Sequence, residues 1–149
     1  MAVGSAGICG SDLQVFDTTQ WNPAGMQPGH EIAGVVDAVG DGCSIAAGTH
    51  VAVEPIVSCG DCDYCRVGKT NLCPRLAFIG FEHPGGLAEY VLAPERNLHE
   101  LPAGLSRSAA GLAEPLAVCV RGARVARIEE GARVAIIGAG TIGLLSILT

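Results

Sequence analysis

Four cysteines of this 149-residue chain, Cys59, Cys62, Cys65 and Cys73, stand as C-x2-C-x2-C-x7-C. Four thiolates so spaced can converge within one short loop. Zinc accepts a tetrahedral set of four sulfurs, and a site closed in this way is structural because it leaves no position for substrate. An iron–sulfur cluster is the rival reading, since three cysteines at this spacing followed by a Cys-Pro pair, here Cys73-Pro74, partly match a ferredoxin run. The fourth spacing is too long for that run and no second run exists, which favours zinc. With seven cysteines in all, four of them crowded together, metal binding in a reducing compartment suits the chain better than a disulfide framework.

A second constellation is split between Gly7-Ile-Cys9-Gly-Ser11-Asp12 and Gly29-His30-Glu31, which offer a thiol, a hydroxyl, an imidazole and two carboxylates. Mixed sulfur, nitrogen and oxygen ligands belong to open metal sites, where a vacant position takes water or substrate. Each segment alone is also compatible with plain structure: His30 as a satisfied histidine, Cys9 as a small buried hydrophobe, Ser11 and Asp12 as turn residues bonded to their own backbone. A third pattern, Gly138-Ala-Gly140-Thr-Ile142-Gly143, follows an apolar run and opens an apolar helical stretch. In that context the first glycine permits a tight turn, the second lets the backbone approach a pyrophosphate, and the third lets helix and strand pack closely.

The elements that must hold these residues can be read from period and punctuation. Ile32 to Val39 and His50 to Val53 are apolar, β-branched runs separated by turn-forming glycines and predict strands, as does Gly86 to Ala93. Cys59 to Pro74 has neither helical nor strand period, so its order must come from something other than apolar packing. A helix start is expected near Ser106 or Ser108, and Ala109 to Ile128 suits a helix, with Pro115 beginning a new segment or kinking a single one beside Glu114. Ala132 to Gly138 predicts a buried strand running into the glycine turn, and a helix follows it.

Composition bounds the rest. At 49% hydrophobic and 16% charged the chain is ordinary globular material, and its 21 glycines favour a β-rich first part. A net charge of −6 with no Lys/Arg cluster gives no footprint for nucleic acid. The N-terminus lacks the cationic start and apolar core of a secretory signal, so a cytoplasmic location is expected. The uncharged stretch from Val134 to Thr149 is interrupted by three glycines, which argues for strand, turn and helix over a membrane span.

The order Gly-Ile-Cys9-Gly-Ser-Asp, Pro-Gly-His30-Glu, four-cysteine loop, Gly86-Leu-Ala-Glu-Tyr-Val, Glu114-Pro-Leu-Ala-Val and Gly138-Ala-Gly-Thr-Ile-Gly resembles the zinc-containing medium-chain alcohol dehydrogenases over nearly the whole chain. Glu114-Pro-Leu and Val53-Glu-Pro resemble the sorbitol, butanediol and threonine dehydrogenases more than the ethanol dehydrogenases, which carry a cysteine where Glu114 stands. The resemblance implies a GroES-like β-domain over residues 1–105, with the structural zinc lobe at 59–74. Residues 106–149 would be a connecting helix and the start of a Rossmann, doubly wound parallel sheet. It also implies two zincs per chain, with Cys9, His30, Glu31 and Glu114 around a catalytic one and Asp12 orienting the histidine. Ser11 would begin a proton relay, and Gly138, Gly140, Ile142 and Gly143 would contact NAD, with NADP left open because the discriminating acidic residue falls beyond Thr149. The implied reaction is oxidation of a secondary alcohol, a polyol or vicinal diol, in a protein that is a homo-oligomer at full length.

The pattern departs from that family in places. Gln14 stands where many relatives carry histidine, and Thr49-His50 replaces a common Asp-Arg, so neither is given a role. The family's opening strands and its later βα units have no counterpart, which predicts a chain that is poorly stable and inactive alone. Two alternatives stay open: a zinc-stabilised binding or oligomerisation module for which only the four-cysteine lobe matters, and a dehydrogenase of threonine or a simple alcohol. Cys43 is expected in a turn, Cys119 in a helix core, and His83 in a solvated loop.

Overall fold

The structure, a computed structural model, describes residues 1–17 and 25–149. Its centre is a four-stranded antiparallel sheet in the order β1 (Ala2–Gly7), β2 (Glu31–Val35), β3 (His50–Val53), β6 (Leu98–Glu100). A two-stranded ribbon pairs β4 (Ile56–Val57) with β5 (Ala77–Phe78). The strands match two of the predicted runs, although β2 ends at Val35 instead of Val39. Gly86 to Ala93 forms no strand of its own. It meets β1 and the residue before it through an isolated bridge at Tyr90, the Val3 amide bonded to the Glu89 carbonyl, and a reciprocal pair of bonds between Met1 and Val91, and the glycines and Pro94 at its ends limit its pairing length.

Ile32, Val53, Ile79 and Val91 form the core, each 5% exposed or less, with Val3, Val57 and Leu98 packed around them. Burying four such side chains contributes about 1.5–3 kcal/mol apiece. β2 has no room for larger side chains at one point: a Cβ on Gly34 would lie 2.1 Å from the Ala2 carbonyl oxygen. Glycine there lets β1 and β2 close up.

The helices of the described residues are α1 (Gly10–Asp17), α2 (Asp63–Arg66) in the cysteine lobe, α3 (Arg107–Ala110), α4 (Ala113–Val125) and α5 (Thr141–Ser146). The lobe therefore has one helical turn, plus a 3₁₀ turn at Thr70–Leu72, where no helical period was expected. Neither contains a buried residue, so their order does not come from apolar packing. Ser106 caps α3 by accepting from the Ala109 amide, as expected for a helix starting there. Pro115 lies in the first turn of α4, where its missing N–H leaves no bond unmade. α3 and α4 pack on β2, and Cys119 is buried where α4 meets α5. Cys43 is exposed in the turn after Val39, and His83 is exposed in a loop.

The expectation for Ala132 to Gly138 is overturned. The segment is exposed throughout and belongs to no sheet, because no strand among the described residues lies beside it to complete a ladder. The turn after it is formed as expected. Gly138 adopts a φ of +112°, and a Cβ on Gly143 would lie 1.9 Å from the Gly138 carbonyl oxygen. Among the described residues no helix is long and apolar enough to cross a membrane.

Candidate metal centres

The register of β1 against β2 pairs Gly7 with Glu31. Cys9 lies two residues past one strand and His30 one residue before the other, so an antiparallel pairing puts both at the same end of the sheet. The thiol of Cys9, an imidazole nitrogen of His30 and a carboxylate oxygen of Glu31 lie within 4.8 Å of one another. His30 and Glu31 are at least nine-tenths buried, and Cys9 is half-buried. Such a set, one soft sulfur, one imidazole and one carboxylate, fits an open zinc site.

Asp12 serves two neighbours. It is the third residue of α1, and its Oδ2 accepts from the Cys9 amide at 2.8 Å, the reach-back half of a capping box. Its Oδ1 lies 3.5 Å from His30 Nδ1, and neither of these buried atoms has a hydrogen-bond partner among the described residues. The local-turn role and the histidine-facing role considered for Asp12 are thus both present in one side chain. Facing Asp12 with Nδ1 leaves Nε2 as the imidazole nitrogen free for a metal.

Glu114 reaches the site from the first turn of α4. It stands outside the three-donor cluster but within electrostatic range of it: burial raises its pKa, the His30 imidazole lowers it, and the Glu31 carboxylate raises it again, with a net upward shift. Ser11 is half-buried in the first turn of α1.

In the lobe, Cys59, Cys62, Cys65 and Cys73 place their sulfurs within 4.8 Å of one another. Cys62 and Cys65 are 3.4 Å apart, Cys59 and Cys65 3.8 Å. Sulfurs arranged tetrahedrally about a zinc at ~2.3 Å are about 3.8 Å apart, so the set fits one ion. An iron–sulfur cluster would spread its cysteines over different irons, and these sulfurs are too close for that. The amides of Cys59 and Arg75 both donate to the Cys73 sulfur at 3.4 Å, which lowers that thiol's pKa. At Cys65 the partial burial that would raise the pKa is outweighed by donors from Cys62 and the Gly60 amide, bringing it to about 7. A hydrogen bond with Asp61 raises Cys59 to about 11. The Arg75 guanidinium pairs with Asp61 beside these thiols.

The glycine turn presents Gly140 as the N-cap of α5, with Ile142 half exposed on the helix. A side chain at Gly140 would meet nothing, so the backbone there is open to approach. A separate cleft of about 590 Å³, lined by residues including Gly4, Gly34, His50, Leu105 and Arg107, contains none of the expected site residues.

Residues the sequence reading passed over are Phe78 and Phe81, whose rings flank His30, and Asn97, which is 2% exposed and donates through Nδ2 to the Glu54 and Ile56 carbonyls. The aromatic pair three apart in Phe-Ile-Gly-Phe was the available signal for the first two.

Residues 1–103 match the alcohol dehydrogenase GroES-like domain, and the chain belongs to that family. It is 40% identical over 143 residues to the starvation-sensing protein RspB of Escherichia coli, an alignment covering 93% of this chain and 42% of that one. Among solved structures, galactitol-1-phosphate dehydrogenase from Escherichia coli superposes with a TM-score of 0.90 at 36% identity, covering 98% of this chain and 42% of its own. A zinc-binding dehydrogenase from Sinorhizobium meliloti, bound to NADP, gives 0.89 at 38% identity, covering 98% and 43%. The chain thus spans less than half the length of these relatives.

Proposed function

We propose that this chain carries the metal-binding side of a zinc-dependent dehydrogenase, one that oxidises a secondary alcohol of the polyol or vicinal-diol type with a nicotinamide cofactor. The observation that carries the reading is the convergence of Cys9, His30 and Glu31 within 4.8 Å at one end of the β1–β2 pair. The likeness to galactitol-1-phosphate dehydrogenase supports a polyol class of substrate. A small-molecule alcohol is the partner this implies, acting in the cytoplasm, with the full-length protein a homo-oligomer.

When bound, zinc would supply Lewis acidity that lowers the pKa of an alcohol hydroxyl, and the nicotinamide would accept the hydride. Cys9 and His30 would hold the ion, Glu31 and Glu114 supplying carboxylate oxygen directly or through water. One thiolate and one carboxylate leave the ion in a roughly neutral shell. Asp12, held by the Cys9 amide, faces His30 Nδ1 at 3.5 Å, which leaves Nε2 for the ion. Ser11, half-buried in the first turn of α1, offers a hydroxyl from which a proton can leave towards solvent. Gly138, Gly140, Ile142 and Gly143 would accommodate the pyrophosphate, with NAD as the cofactor and NADP the alternative. The Cys59, Cys62, Cys65 and Cys73 lobe would hold a second, structural zinc.

Elemental mass spectrometry on protein purified without added metal or chelator tests this. Two zincs per chain, falling to one with Cys9→Ala, support the reading. One zinc that survives Cys9→Ala and is lost with Cys62→Ala leaves only a zinc-stabilised module. Turnover is then assayed against a panel of polyols, diols, threonine and simple alcohols on the protein at the length of its relatives.

A further inference from the structure

Among the described residues, His30 Nδ1 lacks the hydrogen bond that would ordinarily fix a ligand imidazole. Its Nδ1 and the Asp12 Oδ1 face each other at 3.5 Å without a hydrogen bond, and both atoms are buried. Two aromatic rings hold the imidazole instead. Phe78 meets it edge-on, with centroids 5.6 Å apart and planes at 73°, and Phe81 lies against it at 5.6 Å and 34°. The two phenylalanines also contact each other edge-on at 5.4 Å. All three separations fall within the range in which aromatic pairs attract.

The backbone carrying those rings is fastened to the segment carrying His30. Phe78 is paired with Ile56 in the β4–β5 ribbon, and its amide donates to the Glu82 carboxylate at 2.8 Å. The Phe81 and His83 amides both donate to the Phe78 carbonyl, which closes the loop. Just beyond it, the amides of Gly85, Gly86 and Leu87 donate to the carbonyls of Gln27, Gly29 and Pro28. Contact is so close that a Cβ on Gly85 would lie 2.3 Å from the Gly29 carbonyl oxygen. Hydrogen bonds along three successive residues before His30 therefore set the distance between the imidazole and both rings.

We infer that Phe78 and Phe81 are positioning residues that hold the His30 ring in the orientation a metal requires, an inference resting on the reading of Cys9, His30 and Glu31 as a metal site. A ligand that is already oriented loses less freedom on binding, and removing either ring lets the imidazole turn. The expected weakening is about threefold to tenfold per ring, the worth of one aromatic pair expressed as an affinity ratio.

Cobalt(II) titration of the whole, metal-stripped chain reads this directly, because a four-thiolate site and a site with a single thiolate absorb differently in the visible. Phe81→Leu and Phe78→Leu, which retain apolar bulk but lose the flat ring, are expected to weaken the single-thiolate signature by that factor and leave the four-thiolate signature unchanged. Phe81→Tyr keeps the ring and is expected to bind within about twofold of the unsubstituted chain. Unchanged affinity in both leucine variants overturns the proposal and leaves the metal site standing. Equal weakening of both signatures with a lowered melting temperature also overturns it, reducing the rings to general packing. If the unsubstituted chain shows no single-thiolate signature, the metal reading itself fails and this inference fails with it.

Discussion

The Glu31 carboxylate lies directly over the Cα of Gly7, so that a Cβ on Gly7 would sit 1.9 Å from Glu31 Oε2 and 3.0 Å from Glu31 Cβ. The strand pairing that brings Cys9 to His30 thus also makes Gly7 the floor on which Glu31 rests. Gly7→Ala is expected to displace the carboxylate and leave the fold intact, because the end of a flexible side chain can move where backbone cannot. Zinc per chain should fall by one, with a stability loss of about 1 kcal/mol. Elemental analysis beside a urea melt checks both numbers, and a variant that keeps its full metal content would show that Glu31 is not needed for binding.

Asn97, just before β6, ties together the end of β3 and the start of β4. Its side-chain amide donates to the Glu54 and Ile56 carbonyls at 2.8 Å each, and its own carbonyl accepts from the Glu54 amide. Asn97→Ala leaves both carbonyls without that donor at a buried position and is expected to cost about 1–3 kcal/mol. Denaturant melts of the two proteins measure it, and a difference below about 0.5 kcal/mol would mean that water takes over the lost bonds.

How much of this was legible in the sequence depended on distance along the chain. The cysteine lobe was legible because all four ligands lie within one loop, and the α3 start because Ser106 bonds to Ala109, three residues on. Cys9 and His30 are 21 residues apart, and only the β1–β2 register brings them together, so composition and spacing left each open to an ordinary structural role. Phe78, Phe81 and Asn97 act across 40 or more positions, and although Phe-Ile-Gly-Phe marks an aromatic pair, nothing local names His30 as its partner. Ala132 to Gly138 shows the reverse error. Its β-branched run states a preference for extended backbone, but a strand also needs a neighbour, and none lies beside it among the described residues.

The raised pKa of Glu114 makes a pH prediction with a definite sign. A carboxyl that binds its proton more tightly folded than unfolded favours the fold below its ordinary value of 4.5, and that contribution is lost as pH rises through the raised one. The metal-free chain should therefore lose stability on this account over the range above pH 4.5, and Glu114→Gln should remove that slope. Melting temperatures of both chains across that range decide it, since identical slopes would refute the shift. A bound cation reverses the effect by favouring the carboxylate.

Because neither α2 nor the 3₁₀ turn buries a residue, apolar packing contributes little to the order of the lobe. Stripping the metal is expected to open residues 59–75 to proteolysis while the sheet core of Ile32, Val53, Ile79 and Val91 stays protected. Limited digestion with and without a chelator, read by mass spectrometry, locates the first cuts. Cuts that begin elsewhere, or a lobe equally resistant without metal, would mean that the chain orders this loop unaided.

Ile79 and Ile137 have the same side chain at opposite extremes, 1% and 99% exposed. Ile79→Ala removes core contacts and is expected to cost about 2–5 kcal/mol, whereas Ile137→Lys should change stability by less than about 0.5 kcal/mol. Val134, and in and after α5 Ile142, Leu144, Ile147 and Leu148, are likewise at least half exposed, and the segment carrying Ile137 pairs with no strand among the described residues. Apolar side chains on an open backbone edge favour association between molecules, so Ile137→Lys should lower the apparent mass of the chain at high concentration in sedimentation velocity. If Ile137→Lys instead destabilises the chain as much as Ile79→Ala, the segment from Ala132 to Ile137 is packed in solution and the expected buried strand exists after all.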